Sequence, residues 1–375
     1  MKKKGIIISI IALLAVIVTI IVIRENNKKY IMQDGVMLAL TLDEESITSF
    51  PSGTNYQVNV DCENAKGTWL ADKWYLSVED ITGNVTCNIS FTSNPTTLKS
   101  KVETVNTSQN YDGNGYRYSG KQPDNWVWFN GEKWRIIGSI PTCTSSGCGT
   151  KENLVKIIRN DSLGAPAYDA KSSGYTGAWG SNTLYELLNT YYYASDVTAM
   201  NGQSHKGCYS YCATSYQPRP NCDYSEIGIL SSSYYGKMVK NVYWNTGASA
   251  YDVTPSTAYT NETKKQTASG HVGLMTPSDW GYAASSSYHS IKMNSYTSSS
   301  NKATESSWIF NNGEEWTSIQ SSNNSSRPLC VSATGNMNYI GAFNGVTVRP
   351  AVYLEPSVYI VSGDGTEENP YQIGM

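Results

Sequence analysis

The chain has 375 residues, enough for a sizeable core and about two domains. A formal net charge of -3 with only 16% charged residues gives no basic field, so nucleic acid is not expected as a partner. The 28 tyrosines and 31 glycines describe a loop-rich, mostly β extracytoplasmic protein rather than a helical cytosolic enzyme.

The first element is an apolar run from Ile6 to Ile23, preceded by Lys2, Lys3 and Lys4 and followed by Arg24, Lys28 and Lys29. As a helix the run is about long enough to cross a ~30 Å hydrocarbon core. Val22-Ile23-Arg24 is a poor cleavage context, so residues 1–29 are predicted to be a cytoplasmic tip and an uncleaved transmembrane signal anchor. The alternative of a buried core helix is disfavoured by the basic flanks and the lack of a polar face. Lysine and arginine on both sides leave the orientation to the cysteines. All eight (Cys62, Cys87, Cys143, Cys148, Cys208, Cys212, Cys222 and Cys330) follow the anchor, an even number suited to disulfides in an oxidising compartment. The expected localisation is therefore the cell membrane, single-pass, with the body outside.

Residues 30–95 read as a small all-β, sandwich-like spacer. Val36–Asp43, Tyr56–Glu63, Gly67–Ile81 and Asn84–Thr92 are short, β-rich and alternating, with a turn expected at Ala71-Asp72. Cys62 and Cys87 fall in two of these strands, and a bridge there would contribute about 3 kcal/mol. The segment resembles the immunoglobulin-like spacers of bacterial surface proteins. Residues 96–115 are polar without apolar periodicity and read as a linker. Asp112-Gly113-Asn114-Gly115 has a calcium-loop start but neither its later spacing nor its terminal Glu, so a plain turn is expected.

Residues 116–375 form the expected second domain. In NWVWFNGEKWRIIG, Asn130-Gly131 favours a two-residue type I′ turn, and Val127, Phe129, Trp134 and Ile136 then share one buried face. Cys143 and Cys148 bracket TSSG, the pattern of a short disulfide loop, and Asn153–Asp161 is another strand. Leu184, Leu187 and Leu188 lie at i, i+3 and i+4 after Ser181, a candidate N-cap, giving an amphipathic helix over 179–193. A second helix is predicted over 233–244, with Met238, Val239 and Val242 inward. Then come a short strand at His271, a helix or turn start at Thr276-Pro277-Ser278-Asp279, and strands near 329–333, 339–342, 346–354 and 358–363.

The ordered motifs WRIIG, Trp179-x4-Leu184-x3-Leu188-Asn189, LMTPSDWGYA and VRPAVYL resemble an uncharacterised domain of Gram-positive bacterial surface proteins, itself similar to the formylglycine-generating-enzyme branch of the C-type-lectin-like fold. The resemblance implies an α+β fold: two helices on a twisted antiparallel sheet, long loops, and Arg349-Pro350 beside the first hairpin. The enzymatic branch uses two reactive cysteines late in the domain. Only Cys330 lies there, so its copper-dependent oxidation is not carried over.

Cys208, Cys212 and Cys222 with His205 make a legal zinc set, but the spacing is not that of a standard knuckle and disulfides are expected at all eight cysteines. His271 and His289 lack a G-x-S-x-G elbow to serve, and Asp279 with Glu186 could act as paired carboxylates only if folding brings them together. No cofactor is expected. Asp364, Glu367 and Glu368 offer carboxylates for calcium, but an acidic terminal turn is the expected account of them. The aromatics Trp280, Trp308, Trp316, Tyr191, Tyr192, Tyr193, Tyr234 and Tyr235 exceed what one modest core needs. Of these, Trp280, Trp308, Trp316, Tyr234 and Tyr235 are the candidate ligand-binding residues, because flat aromatic faces suit sugar or peptide contact, although a core position accounts for each tryptophan at least as well. The reading is a membrane-anchored binding or adhesion protein whose loops between Ser195 and Asn324 engage an extracellular glycan or protein. The alternative is an exported enzyme, either a cysteine-dependent oxidase or a zinc hydrolase.

Overall fold

The computed structural model describes residues 6–8, 23–25, 28–109, 113–170, 176–193, 209–212, 215–218, 234–297 and 302–375. The chain divides into two units, one of Met1–Leu98 with Ser357–Met375 and one of Lys99–Pro356. The carboxy-terminal 19 residues, expected in the second domain, thus belong to the first unit. Strand makes up 36% of the chain and helix 17%, in four helices among the described residues. The α+β, C-type-lectin-like expectation is therefore corrected to a mostly β protein. Composition had pointed there; the implied pair of packed helices had not.

The first unit is built on the period-2 alternation of its strands. Thr86–Thr92 alternates buried and half-buried residues, and runs parallel to Val36–Leu42 and antiparallel to Gln57–Glu63. Lys28–Gln33 and Ile23–Glu25 extend this sheet antiparallel beyond Val36–Leu42. A second sheet carries Lys66–Leu70 and Tyr75–Glu79, joined by the tight turn over 71–74. The core between them gathers Leu38, Leu40, Trp69, Leu76, Val78, Ile89 and Phe91, and takes Tyr359 and Val361 from the carboxy-terminal segment. Trp69 meets Phe91 and Trp74 edge to face at 5.4 and 5.0 Å, the geometry ring quadrupoles favour. Cys62 and Cys87 are cross-strand partners and form a disulfide.

The apolar amino-terminal run was expected to be one membrane-crossing helix. Its middle, residues 9–22, lies outside the described residues. Its ends are strand: Ile6–Ile8 pairs antiparallel with Tyr75–Glu79, and Ile23–Glu25 with Lys28–Gln33. β-Branched isoleucines suit that state as well as they suit a helix. No helix among the described residues is long and apolar enough to cross a membrane.

In the second unit the hairpin at Asn125 forms as the sequence dictates. Phe129 pairs with Glu132 across Asn130 (φ 55°) and Gly131 (φ 79°), and Val127, Phe129, Trp134 and Ile136 are fully buried. Its second strand, Glu132–Cys143, is long and central. It pairs with Lys151–Arg159, Tyr116–Arg117 and Val242–Trp244, all antiparallel. Ala351–Tyr353 pairs with Lys151–Arg159 and Val272–Gly273, not beside the hairpin as the resemblance implied. A smaller antiparallel sheet holds Glu315–Gln320, Pro328–Val331 and Met337–Tyr339.

The helices depart from expectation. The supposed linker contains Leu98–Val105, whose two inward positions, Leu98 and Val102, are one turn apart and fully buried. Glu103 on it accepts bonds from Ser139 and Asn153. The leucine helix is present as Thr183–Glu186 continuing in a wider-wound Leu187–Tyr192, but its N-cap is Asn182, which accepts from the Tyr185 amide at 2.7 Å, not Ser181. The helix predicted over 233–244 is absent. Gly236–Met238 makes a single tight turn, Val239 is extended, and Val242–Trp244 is a strand. β-Branched residues there answer to the neighbouring sheet rather than to helical period. Pro255–Glu262 is a helix that periodicity did not reveal, capped by Thr254 with Pro255 in its first turn.

Gly138 of WRIIG sits where a Cβ would lie 2.2 Å from the Tyr116 carbonyl oxygen. Gly138→Ala should therefore destabilise the protein by about 1–3 kcal/mol through overpacking. Urea unfolding reads this directly, and a loss under about 0.5 kcal/mol, as at an ordinary surface site, contradicts the close approach.

Candidate functional site

The tryptophans expected to face a ligand are core. Trp280 is 1% exposed and packs on Phe310, and Trp316 is 0% exposed with its indole N–H donated to Pro166 O. Trp308 is 7% exposed, donates to Tyr118 O, and lies over the Arg135 guanidinium at 4.8 Å. Tyr235 is buried against Phe129, and Tyr234 is half-buried against Tyr235. For Trp308 and Trp316 an indole N–H bonded to a backbone carbonyl offsets part of the cost of burial, whereas the Trp280 N–H is buried without a hydrogen-bond partner. Tyr192 is buried too, and Tyr193 stacks on the His271 ring at 3.9 Å.

The same unit holds a buried charge cluster walled by other rings, Tyr259 and Tyr282 at Arg117 and Trp244 and Tyr353 at Lys156. Pro277–Ala283 begins with a capping box in which Thr276 and Asp279 exchange side-chain-to-backbone bonds. The Asp279 carboxylate does more than cap. Oδ1 accepts from Arg117 Nη1 at 2.6 Å, and Oδ2 accepts from Lys156 Nζ at 2.6 Å and from the Thr276 amide at 2.9 Å. Burial would raise its pKa, but Lys156 and Arg117 outweigh that and hold it at about 2. Burial lowers the Lys156 pKa despite Asp279, whereas for Arg117 the contact with Asp279 outweighs burial and raises it. The carboxyl that joins this site is Glu262, not Glu186. Glu262 accepts from the Ser278 amide and hydroxyl at 2.8 and 2.6 Å, and burial, with Asp279 adding to it, pushes the Glu262 carboxyl up to about 7.

An open feature of this unit lies at its smaller sheet. A cleft of about 370 Å³ has Asn324, Ser326, Arg327, Tyr339, Phe343 and Asn344 among its lining residues. The loop before Pro328–Val331 is held by its own side chains: Asn324 Oδ1 accepts from the Ser326 amide and hydroxyl, and the Arg327 amide donates to Asn324 O. Opposite it, the Asn344 amide and side chain both donate to Gly341 O, fixing a turn that leaves Phe343 38% exposed. The Tyr339 ring stands between them, with Arg327 at 5.6 Å and Tyr251 edge-on at 5.3 Å. Sequence reasoning passed over these residues, though a Phe inside the Gly/Asn turn GAFNG has no apolar periodicity to explain it.

Other candidates resolve differently. Cys143–Cys148 is a disulfide. Cys330 is a buried thiol with no bridge, so the expectation of disulfides at all eight cysteines fails at this position. Burial, with the Glu314 charge adding to it, pushes that thiol up to about 12. Its place at the centre of Pro328–Val331 turns it into a packed core. Cys208, Cys222, His205 and the loop from Ser195 lie outside the described residues, as does Asp112; Cys212 ends the strand Tyr209–Cys212. Both His271 and His289 are lowered by burial, and the His289 ring sits 2.9 Å from Ala284 O. Asp364 spends an oxygen on the Thr366 amide and hydroxyl, so the terminal acidic segment is a self-bonded turn. Among the described residues, no group of three or more His, Cys, Asp or Glu side chains is placed to hold a metal.

Compared with family models, with characterised proteins and with solved structures, the chain finds no match. None of these comparisons identifies a C-type-lectin-like or formylglycine-generating-enzyme-like domain.

The cluster makes a pH prediction. Glu262 has an ordinary value of 4.5 and a folded value of about 7, so its stabilisation is fully present below about pH 4.5 and is lost as pH rises through about 7. Carbon-13 titration of the Glu262 carboxyl in the folded protein should show a midpoint near 7. A midpoint near 4.5 contradicts the burial argument.

Proposed function

We propose that this is an exported ligand-binding protein whose second unit takes a glycan in the cleft between loops 322–327 and 340–344. The observation that carries the reading is the lining itself. It offers two aromatic rings for the apolar face of a sugar, the amides of Asn324 and Asn344 and the Ser326 hydroxyl for its hydroxyls, and one cation, Arg327. The cleft replaces the aromatic set and most of the loop range 195–324 that the sequence suggested. Its walls rest on a packed core, which limits the entropy lost on binding.

Two disulfides support an oxidising compartment. The Ile6–Ile23 run with its basic flanks supports attachment at a membrane, with the body outside. The rival reading, a thiol-dependent oxidase, finds Cys330 buried and its thiolate strongly disfavoured, which leaves no reactive cysteine in the region where that chemistry was sought.

The test is binding of the labelled full chain to an array of immobilised glycans, followed by titration of the strongest hit against variants. Tyr339→Ala and Phe343→Ala should each weaken binding by roughly tenfold or more, about 1.4 kcal/mol, with the melting temperature little changed. Undiminished binding in both variants, or no glycan retained at all, would sink the reading.

A further inference from the structure

Lys156 and Asp279 stand in an arrangement that does more than pair two charges. Lys156 Nζ lies 2.6 Å from Asp279 Oδ2, and both side chains are at most 2% exposed. The rings of Trp244 and Tyr353 lie 5.2 and 5.5 Å from Nζ, so the amine is walled by aromatic faces. Arg117 donates to the other carboxylate oxygen, Oδ1. Glu262 lies on the neighbouring side of Thr276 and Ser278: Ser278 Oγ is 2.6 Å from its Oε2 and 2.9 Å from Thr276 Oγ1.

We propose that Lys156 and Asp279 condense spontaneously into an intramolecular amide, covalently tying strand Lys151–Arg159 to helix Pro277–Ala283. The proton shared across the Nζ···Oδ2 contact passes to the carboxylate, leaving a neutral amine against a carboxylic acid. The nitrogen lone pair adds to Cγ, and the negative charge gathers on Oδ1, where the Arg117 guanidinium already donates. A second proton leaves the nitrogen for the departing oxygen. The Cγ–Oδ2 bond breaks, and one water is released. In sum, one ammonium and one carboxylate give one amide and one water, with no oxidant or reductant required.

Two features favour the step. Burial favours the neutral amine, and Lys156 is lowered from its ordinary value. Fixed contact supplies a large effective concentration of the two groups, on the order of 10⁵ M or more in well-oriented intramolecular reactions. Arg117 resists the start of the reaction by favouring the carboxylate, and then stabilises the oxyanion that follows. The product also removes the buried Lys156–Asp279 ion pair and its desolvation cost, leaving the Arg117 guanidinium to donate to the amide oxygen.

Intact mass of the purified full chain, reduced, alkylated and denatured, tests this without any variant. The expected mass is one water below that of the sequence, and protease digestion should yield one branched peptide joining Lys156 to Asp279. A mass with no water missing overturns the proposal, as does a water loss mapped to any other pair. Neither result depends on glycan binding.

Discussion

One carboxylate, that of Asp279, sets the architecture of the second unit. Three elements distant in sequence deliver its partners: Arg117 from the strand Tyr116–Arg117, Lys156 from Lys151–Arg159, and the Thr276 amide from the turn before Pro277–Ala283. A bare carboxylate in such a place costs several kcal/mol of desolvation. It is tolerated here because both oxygens are bonded and two cations face it. The same balance explains Glu262, which lacks a cation of its own and stays protonated to about 7. Removing any one partner strands a buried charge, so the cluster fixes one packing of sheet against helix.

The device recurs around it. Arg349 makes a two-pronged contact with Glu315 at 2.9 and 2.7 Å, tying the segment before Ala351–Tyr353 to the smaller sheet. Arg159 does the same with Glu132, joining neighbouring strands of the larger sheet. A unit rich in Gly, Ser and Asn thus compensates for its irregular connections with planar, bidentate ion pairs. The cleft at Tyr339 sits on the smaller sheet, to whose first strand Arg349 is tied through Glu315.

Local chemistry was legible in the sequence, and long-range pairing was not. Asn130-Gly131 dictated its own hairpin, Thr276-Pro277-Ser278-Asp279 its own helix start, and Cys62 with Cys87 fell on neighbouring strands. Each rests on residues close in sequence or on strict alternation. The Asp279 cluster joins residues separated by 162 and 123 positions, which no periodicity encodes. Tryptophans misled for a related reason: an indole reads as an exposed sugar platform or as core with equal ease until its neighbours in the fold are known. The 233–244 segment failed because its apolar spacing fits a helix and an interrupted strand alike, and the adjacent strand Ala351–Tyr353 decided the matter through the Lys240 amide, which donates to Tyr353 O.

If Asp279 is the point on which the second unit depends, its loss must be felt far from its own helix. Native-state hydrogen exchange of Asp279→Ala measures this most directly. The expected result is lost protection along Lys151–Arg159 and Glu132–Cys143 as well as in Pro277–Ala283, since all of them lean on the same buried charges. Protection lost only within Pro277–Ala283, with both central strands exchanging as slowly as before, would reduce Asp279 to a local helix cap and contradict the account.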